Sequence, residues 1–202
     1  MGRRLFAINE ATGKRELDKF DSKHSKYILD WNEFKKVYDN KFTVYRIIYK
    51  DGSKGGWLEN YKNLSQRGLC KVLDEAKVFY GGEVSDNAVV KGEAEVLLKG
   101  KVSGNAEVSG EAHIANAKVY GYAKVEGEAE ITSEASVYGK AKVSGSAGVA
   151  SKSKIFDEAE ISGNGYVTQS SQVFGYAHIS GDARITNGTK VDYDVDTGTI
   201  RK

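Results

Sequence analysis

A small residue, a variable residue and then Val or Ile recur at six-residue intervals from Cys70 to Val191. There are 21 such aliphatic positions, and the residue two places before each one is always Ala, Gly, Ser, Thr or Cys. One step, from Ile114 to Val119, is a residue shorter than the others. The aliphatic positions are Val72, Val78, Val84, Val90, Val96, Val102, Val108, Ile114, Val119, Val125, Ile131, Val137, Val143, Val149, Ile155, Ile161, Val167, Val173, Ile179, Ile185 and Val191. Self-similarity at a short fixed period is typical of a solenoid of stacked repeats.

Each hexad is predicted to be a very short strand followed by a corner. Residues two apart share one side of a strand, so we expect the small and the aliphatic side chains to fill a core. Two positions after the aliphatic residue, ten of the 21 repeats have Gly and five have Asp or Asn. These residues tolerate the positive φ that a sharp corner requires. A helix is excluded, because a period of six does not keep an apolar stripe on one side of a 3.6-residue helix.

A second period of 18 residues predicts three faces. The outward residue after the aliphatic one differs between neighbouring sides but is similar at steps of 18. The three columns are Tyr120, Tyr138, Phe156, Phe174; Glu126, Ser144, Ser162, Ser180; and Thr132, Ala150, Thr168, Thr186. Three hexads therefore make one triangular coil, and the 21 hexads make about seven coils. The sequence predicts an all-β solenoid, a parallel β-helix.

Residues 1–62 lack the repeat and are expected to form a small α+β cap of strand, helix and strand. The segment from Asp30 to Glu33 has the side-chain spacing of a capping box, and apolar residues follow at near-helical spacing, which predicts a helix of about ten residues. Those apolar residues are Ile28, Trp31, Phe34, Val37 and Tyr38. An open solenoid end exposes strand edges, so it needs such a cap. The array occupies residues 63–191, and the polar tail 192–202 either frays or covers the other end.

The repeats resemble the left-handed parallel β-helix of the hexapeptide-repeat superfamily. The usual superfamily hexad has Gly directly after the aliphatic residue, whereas here it comes one residue later, as in Val-Tyr-Gly-Lys-Ala-Lys-Val at 137–143. Together with Gly55-Gly56-Trp57 and Asn63-Leu64-Ser65-Gln66, this is similar to bacterial and prophage proteins of the YdcK type, which are usually named as transferases. The resemblance covers residues 42–191. It implies a left-handed coil and, as in much of the superfamily, a homotrimer.

Charge and cysteine content narrow the class of protein. The sequence has 30 basic and 28 acidic residues, and this near balance of charge disfavours nucleic acid as a partner. No apolar run approaches a membrane span, and the first residues lack the apolar stretch of a signal peptide, so we expect no membrane association and a cytoplasmic location. The single cysteine, Cys70, occupies an inward small-residue position and is expected to be a buried, unreactive thiol.

Two histidines are the candidate catalytic residues if the protein is an enzyme. Many superfamily members are acyltransferases with a histidine general base, and the resemblance would then imply acetyl-coenzyme A as a co-substrate. His113 and His178 both lie in Ala-His-Ile triplets and are expected to point outward. No insertion after residue 70 walls a cleft, and we expect no side-chain pair at general-base spacing. The favoured prediction is therefore no catalytic residue and no cofactor.

The same two histidines are not expected to share a metal ion. They are 11 hexads apart and on different faces. That separation is on the order of 17 Å along the axis at the usual strand spacing. Zinc ligands must converge within about 2 Å of the metal. No metal site is predicted.

The aromatic column is the most informative surface in the sequence. Its companion outward column contains no acid and consists of Lys118, Ser136, Lys154, Gln172 and Lys190. The rings could form a stabilising ladder, mediate self-association, or stack the bases of a single strand between lysines. The predicted partner or oligomer face comprises Lys118, Tyr120, Tyr138, Lys154, Phe156 and Phe174.

No motif identifies a substrate, and three functions stay open. The leading hypothesis is a non-enzymatic binding or scaffold protein built on a rigid rod, with a phage or prophage origin implied by the resemblance. An acyltransferase with a site between subunits is the first alternative. The second is a phage protein that sequesters or blocks a host molecule. The partner could be a protein or a small molecule.

Overall fold

The computed structural model describes residues 7–8, 15–16 and 25–201. Strands β1 (Ala7–Ile8) and β2 (Arg15–Glu16) pair with each other in antiparallel fashion. The remaining described chain forms three further sheets. The described residues form strands and no helix. There is accordingly no helix among them that is long and apolar enough to cross a membrane.

Two of the three sheets consist only of parallel two-residue strands stacked one coil apart. We name the first the aromatic face: β8 (Glu83–Val84), β11 (Lys101–Val102), β14 (Lys118–Val119), β17 (Ser136–Val137), β20 (Lys154–Ile155), β23 (Gln172–Val173) and β26 (Lys190–Val191). We name the second the serine face: β6 (Lys71–Val72), β9 (Val89–Val90), β12 (Glu107–Val108), β15 (Lys124–Val125), β18 (Lys142–Val143), β21 (Glu160–Ile161) and β24 (His178–Ile179). The columns predicted from the 18-residue period are confirmed.

The third sheet, the cap face, has 11 strands because it continues into the N-terminal region. Its parallel part is β5 (Lys54–Leu58), β7 (Lys77–Val78), β10 (Glu95–Leu97), β13 (His113–Ala115), β16 (Glu130–Thr132), β19 (Gly148–Val149), β22 (Tyr166–Val167), β25 (Arg184–Ile185) and β27 (Thr199–Ile200). Two antiparallel strands, β3 (Tyr27–Val37) and β4 (Phe42–Tyr49), extend it beyond β5. The cap and the array therefore share one continuous sheet.

The inward assignment of the hexads is confirmed. Every Val and Ile of the array is buried, with at most 1% of its surface exposed, and so is the small residue two places before it. The residue two places after has positive φ in every repeat except the last, at Tyr193. The solenoid has about eight turns rather than seven. The additional turn comes from Leu58 and Leu64 at one end and Val195 and Ile200 at the other, which pair with the array but lie outside its regular spacing.

The helix predicted in the cap is wrong, and the described cap is β rather than α+β. Residues 27–37 form strand β3, which pairs with β4 on both sides of an irregularity between Asp30 and Phe34. The register skips residues 31–33 there, so apolar residues three apart imitate a helical period within a strand. The carboxylate of Asp30 accepts the N–H of Asn32 at 2.9 Å, which is a local turn and not a helix cap. Tertiary pairing has overridden a short-range pattern.

Buried tyrosines of the cap close the open end of the array. The hydroxyl of Tyr49 donates to the carbonyl of Val72 at 2.9 Å and accepts its N–H at 2.8 Å. Tyr27 donates to the carbonyl of Leu64 at 2.6 Å. Burial raises the pKa of both hydroxyls, that of Tyr49 to about 12. The edge groups of Val72 and Leu64 are thereby satisfied without another strand.

An ion-pair network fixes the cap to the first coil. The guanidinium of Arg46 lies 3.9 Å from the ring centroid of Trp57 and donates to Glu75 at 2.9 Å and to Glu33 at 3.0 Å. Hydrogen bonds from Lys35, Arg46 and the Trp57 indole lower the pKa of Glu75 from 4.5 to about 2. The network holds strands β3 and β4 against the outside of the solenoid.

A second, smaller core lies outside the triangular prism. The hexad pattern predicts that Phe79 and Leu97 point away from the main core, yet both are 1% exposed. They pack with Val44, Trp57 and Ala115. The hairpin of β3 and β4 covers these outward side chains, which explains why an apolar residue is stable at each position.

The tail covers the other end of the array within the described residues. Val195 bridges to Ile179, and β27 pairs in parallel with β25. Of the two alternatives for the tail, covering the end is the one observed.

Candidate functional site

The aromatic column forms a continuous stack on the aromatic face. Ring centroids are 4.9 Å apart for Tyr120 and Tyr138, 5.2 Å for Tyr138 and Phe156, and 5.3 Å for Phe156 and Phe174, with interplanar angles of 3°, 5° and 8°. The spacing follows the distance between paired strands. The ring planes are therefore parallel, and each ring face that points along the stack is covered by the neighbouring ring. A base cannot stack between them, which disfavours single-strand binding by this column.

The edges of the ladder are what a partner would contact. Tyr120 is 38% exposed, whereas Tyr138, Phe156 and Phe174 are partly buried. Burial raises the pKa of the Tyr120 and Tyr138 hydroxyls. The two lysines of the predicted face, Lys118 and Lys154, are exposed and lie on either side of Ser136 in the register. All six predicted residues of this face are thus brought together on one surface.

His178 lies on the serine face and makes a contact that sequence reasoning missed. Its Nε2 is 2.9 Å from the hydroxyl of Ser162, so the expectation of no side-chain pair at general-base spacing is wrong. Ser162 follows the aliphatic residue of one coil, and His178 precedes the aliphatic residue of the next coil. The two outward side chains are therefore 16 residues apart in sequence but adjacent on the face. Asp194 accepts the backbone N–H of His178 at 2.9 Å and so holds the strand rather than the imidazole.

His113 lies on the cap face, between two hollows. The first, the apolar hollow, has a volume of about 730 Å³. Its lining is Tyr80, Gly81, Leu98, Lys99, His113, Ala115, Asn116, Glu130, Thr132 and Ser133. The second, the acidic hollow, has a volume of about 520 Å³. Its lining is Glu111, His113, Glu128, Glu130, Ser146, Gly148 and Tyr166. His113 and Glu130 belong to both, and we call the combined depression the trough.

The trough exists because side-chain size changes along the columns of the cap face. Bulky Phe79 and Leu97 are followed by Ala115 and Thr132 at equivalent positions in the next coils. The neighbouring column reaches Gly148, the only glycine at the position before an aliphatic residue. Small residues therefore lie between bulky ones, and a depression across the face results.

Tyr166 forms the far wall of the trough. Its ring lies over Gly148, because a Cβ atom on Gly148 would be only 2.4 Å from Cδ2 of Tyr166. The guanidinium of Arg184, in the next coil, is 5.8 Å from the centroid of the same ring. The near wall is formed by Tyr80 and Leu98, beside the second core.

The short step in the repeat falls inside the trough. The corresponding corners of the adjacent coils contain two residues with positive φ, Leu98 with Lys99 and Ser133 with Glu134, whereas this corner contains Asn116 alone. Residues of all three corners line the apolar hollow. The irregular step in the sequence thus coincides with the apolar hollow.

Several polar side chains of the trough have few partners among the described residues. His113 Nε2 is buried and has no hydrogen-bond partner among the described residues. The Glu128 carboxylate accepts a hydrogen bond from the Ser146 hydroxyl at 3.1 Å, and no other side chain in the described ranges donates to it. Within the described part of the chain, Glu111 and Glu130 form no ion pair. The lining as a whole contains three glutamates against one lysine, Lys99.

Metal and thiol chemistry find little support in the geometry. Across residues 25–201 no group of three His, Cys, Asp or Glu side chains is arranged to hold a metal ion. His113 and His178 lie on different sheets, as predicted. Cys70 is fully buried, as predicted, with its Sγ 3.1 Å from Nζ of Lys26.

The trough was not predicted from the sequence. Gly148 and the short step at Asn116 are visible signals in it, but their meaning depends on where the cap folds. The chain matches no protein-family model and no curated protein.

Proposed function

We propose that this is a non-enzymatic binding protein in which the β-helix is a rigid rod and the trough holds a small-molecule ligand. The observation that carries the proposal is a depression with an apolar and an acidic half that share His113 and Glu130 in their lining. Membership of the hexapeptide-repeat superfamily, a left-handed coil and a cytoplasmic location belong to the same proposal.

The dimensions and the lining of the trough support a small ligand. Each hollow falls within the roughly 300–1,000 Å³ that is usual for small-molecule sites. Such sites combine apolar walls with a few polar groups that fix orientation. Leu98 and Ala115 supply apolar wall here, and His113 and Glu130 supply the polar groups.

The backbone of the site is rigid, which lowers the entropic cost of binding. His113, Glu130 and Gly148 belong to paired strands of one sheet. The near wall is fixed by the second core and by the network around Arg46. Little ordering is needed when a ligand enters a preformed site of this kind.

Acyl transfer is the second candidate, because the His113 side chain lines both hollows and histidine is the most common general base. Three glutamates in the lining oppose the phosphates of coenzyme A, however. Because of this repulsion between like charges, we favour a binding function over acyl transfer. A phage protein that sequesters a host molecule would use the same trough, and its host ligand would be the discriminating observation.

Self-association through the aromatic face is part of the proposal. The stripe of aromatic edges beside Lys118 and Lys154 forms the contact between copies, and a trimer is the state implied by the resemblance. It would leave the cap face free, since the two surfaces are different sheets of the prism.

Filling the trough tests the binding function. A library of small aromatic and aliphatic compounds is screened by ligand-observed NMR against the wild type and Thr132→Trp. The matched control is Thr168→Trp, at the equivalent position two coils further along the same face. We expect compounds whose binding is lost in Thr132→Trp and kept in Thr168→Trp. If no compound behaves in this way, the binding function is wrong.

A further inference from the structure

We propose that the ligand of the trough is an organic cation with an apolar body, bound with its ammonium group in the acidic hollow and its apolar part against Leu98 and Ala115. This inference rests on the proposed binding function and adds the chemical class of the ligand. It follows from the placement of charge, of hydrogen-bond acceptors and of apolar surface along the trough.

The negative charge is concentrated at one end. Glu111 and Glu128 lie at the corner between the serine face and the cap face, and Glu130 lies on the adjoining strand. All three line the acidic hollow. The single lysine, Lys99, lies at the opposite corner of the cap face. A ligand that spans the trough therefore meets a strongly acidic end.

The acidic hollow is also rich in acceptors. Ionised carboxylates accept hydrogen bonds and cannot donate them, and an ammonium group has three donors and no acceptor. An ammonium group placed beside Glu130 in this hollow would donate to its carboxylate, and such charge-assisted bonds are the strong ones. An anionic ligand would face three like charges instead.

Tyr166 separates a cation of the next coil, Arg184, from the hollow. Arg184 lies one coil beyond Tyr166 in the same column, with the Tyr166 ring between it and Gly148. Its guanidinium therefore does not neutralise the glutamates by direct contact. The aromatic edge of Tyr166 and the apolar hollow give the body of the ligand surface on which to lie.

Three probes of similar size test the class: 2-phenylethylamine, 2-phenylethanol and 3-phenylpropionate. Binding to the full chain is followed by calorimetry and by chemical-shift changes. We expect the amine to bind about tenfold more tightly than the alcohol, and the acid not to bind. Added salt should weaken the amine selectively, because the acidic hollow is partly open to solvent.

Variants separate charge recognition from binding as such. Glu130→Gln should lower the affinity for the amine several-fold and leave that for the alcohol unchanged, and Glu128→Gln should act in the same direction. Glu160→Gln, at the equivalent repeat position on the serine face, should change neither. Leu98→Ser should weaken both compounds alike. Thermal melts establish that each variant is folded.

Two outcomes would overturn the inference, and they differ from one another. Equal affinity for amine and alcohol, with no effect of Glu130→Gln, would refute the cationic class while Thr132→Trp still showed binding in the trough. If no compound binds in a way that Thr132→Trp abolishes, the binding function itself is refuted, and with it the ligand class.

Discussion

Gly145 and Gly163 are stacked so closely in consecutive coils that a Cβ atom on Gly145 would lie 2.9 Å from the carbonyl oxygen of Gly163. Both have positive φ. Gly127 and Gly181 continue the same stack on either side. The corners on this edge of the prism thus depend on glycine for two separate reasons, backbone conformation and space.

Substitutions at two glycines separate those reasons. Gly188 has φ of 72°, almost the same as the 73° of Gly145, but a Cβ there would meet nothing within 4 Å. Gly188→Ala should therefore cost only the conformational part, roughly 1 kcal/mol. Gly145→Ala should cost more, roughly 2 kcal/mol or above, because a coil must also shift. Urea unfolding measures both, and equal losses would contradict the stacking argument.

Two buried hydroxyls should be replaceable with a gain in stability. Ser153 and Ser171 occupy inward small-residue positions, and neither Oγ has a hydrogen-bond partner among the described residues. Ser153→Ala and Ser171→Ala should each raise the free energy of unfolding by about 1 kcal/mol. Thr189 is the control, since its hydroxyl donates to the Thr186 carbonyl at 2.6 Å, and Thr189→Ala should destabilise. A loss of stability in all three variants would contradict the prediction.

The cap should loosen in acid. Hydrogen bonds from Lys35, Arg46 and Trp57 lower the pKa of Glu75 from 4.5 to about 2. The folded state therefore holds this carboxyl ionised more strongly than the unfolded state does. Its contribution is complete above pH 4.5 and is lost as the pH falls towards 2.

Tryptophan fluorescence during thermal melts follows this loss, because Trp57 lies within the network. Glu75→Gln should be less stable than the wild type at neutral pH and should change less between pH 4.5 and 2. Some change should remain, since the hydrogen bond from Lys54, with that from Arg46, also lowers the pKa of Glu33. Glu83→Gln, which removes an exposed pair with Lys101, should keep the wild-type profile. A wild-type profile in Glu75→Gln would refute the assignment.

The aromatic face should hold an oligomer together. Replacing Tyr138 and Phe156 together with Glu should split the assembly but leave each β-helix folded, because these side chains point away from the core. Light scattering measures the mass and circular dichroism the fold. The control, Ser144→Glu with Thr168→Glu, places the same charges on the other two faces and should not split it. A wild-type monomer at tens of micromolar would leave the ladder with a structural role alone.

No acetyl transfer from acetyl-coenzyme A to amines, sugars or amino acids is expected. The acidic hollow beside His113 repels the phosphates of the donor, and Ser162 and His178 lie on another face. A broad acceptor screen by mass spectrometry measures turnover. Turnover that is lost in His113→Ala or in His178→Ala would favour the acyltransferase alternative.

The repeat was predictable because each hexad contains the residues that determine its own strand and corner. Small residue, aliphatic residue and corner residue recur without regard to distant contacts, so Val143 and Gly145 can be assigned from the sequence alone. The cap was not predictable in this way. Strand β3 forms because β4 lies beside it, and the hexad pattern gives no indication that Phe79 and Leu97 are covered by a hairpin. The trough was not predictable for the same reason, because its near wall lies beside Phe79 and Leu97, which the hairpin covers.

The trough ends at Tyr166, and the coils beyond that residue contribute nothing to its lining. Each coil contacts only its neighbours, so a coil added or removed after Thr168 would change the reach of the rod without touching the trough. The length of the rod and the lining of the trough are therefore separately adjustable in this architecture. A chain of this kind can gain or lose coils at one end while the surface near the other end stays the same.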